Sequence, residues 1–243
     1  IAYAASTDAG LVLATVEVAG WVSTQLELAE LYRSRTRAVE AELLALRAQI
    51  SPHFVYNSLA AIASFVRTDP ERARQLLLDF ADFTRYSFRG AGDFTTLADE
   101  LRNVERYLML ERARFGPRLH VQLLVAPEVL SVNVPVLAVQ PLVENAVRHG
   151  LERKDGVGHI VLSAEDQGAE AVIWVEDDGV GSEPELIRKV LAGESETDSV
   201  GLGNVDARLR QVYGDYHGLV VETAPGAGTR VSFRVPKFHS DLS

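Results

Sequence analysis

Three groups of residues in the second half of the chain combine types and spacings that could do chemistry. The first is the run Gln140, Pro141, Leu142, Val143, Glu144, Asn145, Ala146, Val147, Arg148, His149, Gly150. On a helix, Glu144, Asn145, Arg148 and His149 project from one flank while Leu142, Val143, Ala146 and Val147 can pack inward. A carboxylate and a carboxamide beside a cation can hold a hydrated divalent metal against a phosphate, because Mg²⁺ takes oxygen ligands and keeps several waters. Taken alone, the run also fits the solvated side of an amphipathic helix.

The second group, Trp174, Val175, Glu176, Asp177, Asp178, Gly179, Val180, Gly181, sets acids at the end of an apolar strand. Its glycines, Gly179 and Gly181, let a backbone turn and approach a ligand closely. Asp177 or Asp178 could accept a hydrogen bond from an exocyclic amino group such as that of adenine. An acidic turn after a strand has the same appearance. The third group runs Ser199, Val200, Gly201, Leu202, Gly203, Asn204 into an amphipathic stretch. Small residues ahead of a helix expose backbone N–H groups and a positive dipole end, which suits phosphate; an ordinary glycine-rich helix entry reads the same way. A softer fourth element, Gly226, Ala227, Gly228, Thr229, precedes the last strand and also suits a hairpin turn.

Two different kinds of scaffold must position these groups, and they meet near Gly116 and Pro117. Residues 1–116 hold 13 basic and 15 acidic side chains, and residues 117–243 hold 11 and 19, so the halves carry −2 and −8. The first half has only two prolines, Pro52 and Pro70, and reads as helices throughout. Val39, Leu43, Leu46, Ile50, Phe54 and Asn57 follow steps of three and four, which predicts an apolar stripe on a long helix that needs a partner. A second helix is predicted over 70–88, with Thr68 or Asp69 as N-cap. A third is predicted over 97–115, capped near Thr95 or Thr96 and stopped by Gly116 and Pro117. In the second half, short runs rich in Val, Ile and Leu at 120–125, 160–164, 171–176, 219–222 and 229–235 predict strands. Helices are predicted over 136–149 and 203–213, and 191–203 has loop composition. The expected fold is therefore α plus α/β: a helical module over 28–116, then an α/β sandwich over 117–243 whose mixed sheet is covered by helices on one face.

The order of the groups carries more information than any one of them. An Asn-bearing helix, Asp-x-Gly-x-Gly after a strand, a flexible segment, Gly-Leu-Gly-Asn before a helix and Gly-x-Gly-Thr before a final strand resemble the nucleotide-binding domain shared by histidine kinases, gyrase and the heat-shock chaperones. The resemblance covers about 117–236. It implies that Asn145 binds Mg²⁺, that Asp177 meets adenine, that 179–203 forms a mobile lid over the triphosphate, and that Arg148 contacts phosphate. It extends the ATP contacts to His149, Gly179, Gly181, Gly201, Leu202, Gly203, Asn204 and Thr229. Upstream, Leu46 to Leu59, with Pro52, His53, Phe54 and Asn57, resembles the phosphoacceptor box of LytS-type sensor histidine kinases.

That resemblance implies that neutral His53 attacks the γ-phosphate of ATP and passes the phosphoryl group to an aspartate on the receiver domain of a cognate response regulator. Asn57, one turn on, could position water or that carboxylate, which allows a phosphatase activity. Relatives that hydrolyse ATP place a water-activating Glu four residues before the metal-binding Asn, and Pro141 stands there instead. Glu144 is left as a candidate base. Ser199 replaces the first glycine usual in the third group, and Phe54 replaces the acid that follows the phosphoacceptor in many histidine kinases. Pro52 should bend or loosen the helix at the nucleophile. Other readings of the same residues are a nucleotide-binding dimerisation scaffold that transfers nothing, and a serine kinase of the anti-sigma type, which gives the His53 segment no purpose.

The chain has 243 residues, 34 acids, 24 bases and no cysteine. Those values suit a globular chain in a reducing cytosol, and the net charge of −10 argues against direct binding of nucleic acid or anionic membrane. The most apolar stretch, 11–22, contains Glu17 and is too short to span a bilayer. The start at Ile1 suggests a portion of something longer, with 1–27 as the end of a sensory or membrane-anchored region. The expected assembly is a homodimer joined through the helices around 39–57 as a four-helix bundle.

Overall fold

A computed structural model describes residues 51–88, 94–152, 154–192 and 200–238. The predicted stripe positions Val39, Leu43, Leu46 and Ile50, the upstream region and Ser199 lie outside the described residues. The elements below belong to one unit, Ile50–Ser243.

Helix α1 spans Pro52–Phe65. Ser51 is extended, with ψ 123°, and Pro52 occupies the first turn, where its missing N–H costs nothing. The described helix begins at Pro52, and the part of the expected longer helix that would lie before Ser51 falls outside the described residues. Helix α2, Pro70–Ser87, starts as predicted at Asp69, whose side chain accepts the Arg72 N–H at 3.1 Å. A short strand β1, Phe94–Thr96, interrupts what the composition suggested was all helix. Thr96 then caps α3, Leu97–Phe115, by accepting the Asp99 N–H at 3.2 Å, and Gly116 ends it at φ +58°.

Strand β2, Leu119–Val125, follows, then β3, Asn133–Pro135, which pairs antiparallel with β1. Neither β1 nor β3 was expected, since three residues are too few to show alternation. Helix α4 is Gln140–Asn145 and continues as a π turn over Ala146–Leu151, in which the Glu152 N–H donates to the carbonyl of Val147, five residues back, at 3.1 Å. The helix predicted from residue 136 starts four residues late because Leu137 takes φ +61°. Strands β4, Gly158–Gln167, and β5, Glu170–Asp177, lead to α5, Pro184–Leu191, and α6, Val200–Tyr213. Strands β6, Val220–Thr223, and β7, Thr229–Pro236, complete the chain.

The main sheet has the order β2-β4-β5-β7-β6, with β2 and β4 parallel and every other pair antiparallel. It is the mixed sheet that the strand spacing predicts. One face is buried, formed by Ile160, Leu162 and Ala164 on β4, Ala171, Ile173 and Val175 on β5, and Val231, Phe233 and Val235 on β7. The alternation fixes the register, because a slip of one residue would turn these side chains outward. Leu142, Val143 and Val147 of the first group, with Leu202, Val205 and Leu209 of α6, join the same apolar cluster. Burial of each contributes roughly 1.5–3 kcal/mol. The sheet face therefore anchors the helices that carry the polar groups.

Candidate functional site

Asp177 closes β5 opposite Thr229 of β7 and is 7% exposed. Its Oδ1 accepts the Gly179 N–H at 2.9 Å, and the Thr229 N–H also donates to the carboxylate. Burial outweighs both and pushes the carboxyl up to about 6. Glycines make this enclosure possible. A Cβ on Gly150 or on Gly179 would stand 2.7 Å from Asp177 Oδ1, and the one on Gly179 would also run into the Gly150 backbone. Gly228, at φ +76°, and Gly181, at φ +64°, face the carbonyls of Asp177 and Ala224 where a side chain would sit. The end of the first group, the second group and the last turn thus meet around one carboxylate.

Asp178 faces elsewhere. It accepts the His159 N–H at 2.8 Å and pairs with Lys154 Nζ at 2.8 Å. Partial burial pushes its carboxyl up, and these hydrogen bonds overcome that push to hold it at about 2. Of the two acids that the sequence leaves open, Asp178 is committed to surface pairing and Asp177 to the glycine-lined enclosure.

In the first group, Pro141 sits in the first turn of α4. Gln140 is buried; Asn103 of α3 donates to its Oε1, and its Nε2 donates to Glu144 Oε1 at 2.5 Å. Desolvation pushes the Glu144 carboxyl up to about 7, opposed by the Gln140 hydrogen bond and the charge of Arg148. Asn145 and Arg148 are half-buried beside it, and the side chain of His149 lies outside the described residues. The third group departs from expectation: Gly201, Leu202, Gly203 and Asn204 lie inside the first turns of α6, not ahead of it. A Cβ on Gly201 would be 3.5 Å from Pro141 Cβ, which places this turn against α4; Leu202 is buried and Asn204 exposed. The span expected to be a lid, 179–203, contains α5, and 193–199 lies outside the described residues.

Several site residues carried no assignment in the sequence. Glu100 of α3, fully buried, accepts hydrogen bonds from the Tyr86 hydroxyl at 2.7 Å and from the N–H groups of Leu137 at 2.7 Å and Val139 at 3.0 Å. Arg208 of α6 donates to the carbonyl of Val136 in the same turn. One carboxylate therefore ties α2, α3 and the entry to α4 together. A signal for it existed: Glu100, Asn103, Tyr107 and Glu111 recur at three- and four-residue steps along the apolar stripe of α3, where buried polar groups require partners.

His53 stands in the first turn of α1, its neighbour Phe54 buried against Phe83 and Tyr107 at 5.0 Å between ring centroids. Asn57 Nδ2 lies 3.2 Å from His53 Nδ1 and 3.1 Å from Nε2. His53 Nδ1 lies 3.8 Å from Glu152 Oε1, just past the π turn that follows Asn145, and Arg114 Nη1 pairs with the same oxygen at 2.7 Å. Glu111, buried beside Arg114, is pushed up to about 7 by desolvation.

Among the described residues no group of three or more His, Cys, Asp or Glu could cage a metal. The donor set at Glu144 and Asn145 fits Mg²⁺ in one way only: as an ion that takes most of its oxygens from phosphate and water.

The structure thus sets a glycine-enclosed Asp beside an Asn-bearing helix, on a mixed sheet, with a histidine on a preceding helix. Family models agree: residues 41–119 match "Histidine kinase" and residues 133–239 match "Histidine kinase-, DNA gyrase B-, and HSP90-like ATPase". The chain belongs to the sensor histidine kinases of the LytS type. It is 32% identical over 219 residues to sensor histidine kinase BtsS of Escherichia coli strain K12, covering 90% of this chain and 37% of that protein. It is 37% identical over 216 residues to YpdA of the same strain, covering 88% and 38%. With sensor protein LytS of Bacillus anthracis the identity is 34% over 219 residues, covering 88% and 37%. The chain spans little more than a third of the length of these relatives. Among solved structures, the Acinetobacter baumannii histidine kinase AdeS aligns with TM-score 0.47 at 13% identity, over 69% of this chain and 79% of that one. No helix among the described residues is long and apolar enough to cross a membrane.

Proposed function

We propose that this chain is the cytoplasmic kinase core of a two-component sensor, comprising a helical dimerisation and phosphotransfer module to about residue 116 and an ATP-binding domain from 117. The carrying observation is the convergence of Gly150, Asp177, Gly179 and Thr229 on one enclosure, with His53 of the same chain placed beside the end of the Asn145 helix. Asp177 accepts the adenine amino group. Asn145 offers its carboxamide oxygen to Mg²⁺, which when bound neutralises charge on the transferred group. Arg148 and the start of α6, with Gly201, Leu202, Gly203 and Asn204, meet the phosphates, with Thr229, Gly181 and His149 bordering the site. His53 attacks the γ-phosphorus in line, with Glu144 as candidate base. The phosphoryl group then passes to an aspartate of a response regulator, and Asn57 orients water or that carboxylate. Tyr56 and Leu59 on α1 and Leu77 and Leu78 on α2 are exposed apolar side chains suited to a second copy of the chain.

Incubation with γ-labelled ATP and Mg²⁺ tests the reading. Acid-labile label that disappears in His53→Gln and in Asn145→Ala supports it. Undiminished label in His53→Gln overturns it, and ATP binding without any labelling of the wild type favours a nucleotide-binding scaffold.

A further inference from the structure

The imidazole of His53 has two nitrogens, and a nucleophile needs the lone pair of one of them free and the hydrogen on the other. The surroundings of the ring distinguish the two. Among the described residues the carboxylate within 4 Å of the ring is Glu152, whose closest approach is Oε1 to Nδ1 at 3.8 Å, whereas Asn57 Nδ2 lies almost equally close to both nitrogens and can donate to whichever lacks hydrogen. With the hydrogen on Nδ1, the N–H points towards a negative oxygen and Nε2 accepts from Asn57. The opposite tautomer would set the Nδ1 lone pair against the Glu152 carboxylate. The arrangement favours a single tautomer, as a carboxylate beside an imidazole does in acyl-transfer enzymes.

Glu152 is itself held. Arg114 Nη1 binds it at 2.7 Å and also reaches Glu111 at 3.4 Å, and Glu152 is 23% exposed while the His53 side chain is 59% exposed. One edge of the ring is thus addressed by a fixed carboxylate; at the other, Asn57 Nδ2 stands 3.1 Å from Nε2 and must turn aside for an incoming phosphoryl group. The acid that other histidine kinases carry directly after the phosphoacceptor is Phe54 here, and its ring is packed in the core.

Building on the reading of His53 as phosphoacceptor, we propose that Glu152 is the positioning residue for His53: it keeps hydrogen on Nδ1 and so presents the Nε2 lone pair to the γ-phosphorus of a nucleotide bound by the same chain. The Nε2 lone pair forms the N–P bond as the bond from γ-phosphorus to the bridging oxygen breaks, and that electron pair leaves on ADP. The ring becomes cationic, keeps its Nδ1 proton during the attack, and its charge is balanced by the Glu152 carboxylate.

The test uses the whole chain and compares wild type, Glu152→Gln, Glu152→Asp and His53→Gln. Glu152→Gln keeps the side chain's shape and an oxygen for Arg114. It should lower the initial labelling rate at saturating ATP by about tenfold or more, with KM for ATP unchanged, and Glu152→Asp should recover part of the rate. In ¹⁵N spectra of the imidazoles without nucleotide, wild-type His53 should show a protonated Nδ1 and an unprotonated Nε2, a preference that Glu152→Gln erases. A merely structural Glu152 would not move that signature. Unchanged labelling and an unchanged tautomer in Glu152→Gln, with His53→Gln silent, overturn the role of Glu152 and leave the phosphoacceptor reading standing. Full labelling in His53→Gln overturns both.

Discussion

The carboxyl group of Glu100 receives the hydroxyl of Tyr86 at 2.7 Å, so a residue of α2 and a residue of α3 share one buried hydrogen bond. The same carboxylate takes the N–H groups of Leu137 and Val139, the turn that delivers Gln140 to the start of α4. Glu100→Ala should therefore remove the acceptor that these buried donors share and cost about 3 kcal/mol or more. Tyr86→Phe removes one of the three and should cost about 1 kcal/mol. Urea unfolding of the two variants checks the ratio.

Asp177 offers a pH signature. Its carboxyl ordinarily titrates near 3.8 and is pushed up to about 6 by burial. Between those values the folded chain holds the proton more tightly than the unfolded chain, so this group's contribution to stability declines as pH rises through that window. Protonation also turns an acceptor into a donor. ATP affinity measured by calorimetry should accordingly weaken as pH falls through about 6, and Asp177→Asn should bind ATP weakly at every pH.

Two glycines in the ATP domain should respond in opposite ways to the same methyl group. Gly179→Ala meets Asp177 Oδ1 at 2.7 Å and the backbone of Gly150, so it should destabilise by roughly 2–3 kcal/mol and abolish nucleotide binding. Gly201→Ala finds only Pro141 Cβ, at 3.5 Å, and lies within a helix. It should hold or raise stability by up to about 1 kcal/mol. Thermal unfolding with and without ATP separates the two outcomes.

The dimer reading predicts that replacing Tyr56 and Leu59 together by Ala shifts sedimentation towards monomer while the melting temperature changes little, because both side chains are exposed. Phe54→Ala, by contrast, empties a position packed against Phe83 and Tyr107 and should cost about 3–5 kcal/mol.

What the sequence made legible were the features with strong local causes. Asp69 ahead of Pro70, Thr96 ahead of α3, and the β-branched runs of β4, β5 and β7 announce themselves within a few residues. The order of the polar groups was also readable. The paired strands β1 and β3 were not, because their stability comes from each other across 37 to 41 positions, Phe94 facing Pro135 at one end of the register. Nor was the late start of α4, set by the turn that Glu100 holds from another helix. The placement of Gly201 and Gly203 went astray because glycine in a sequence suggests a loop, whereas here both lie within a helix, and a Cβ on Gly203 would stand 3.1 Å from the Val190 carbonyl.

The π turn over Ala146–Leu151 makes chain length a determinant of aim. In a regular α-helix the Glu152 N–H would bond to residue 148, and each residue turns the side chain by about 100°. The extra residue in this turn therefore rotates everything after it relative to Asn145. Regularising the turn at its present length, so that the Glu152 N–H bonds to residue 148, would swing the Glu152 carboxylate about a quarter-turn away from His53, even with every side chain of the first group intact. Selection acting here would count residues as strictly as it chooses them.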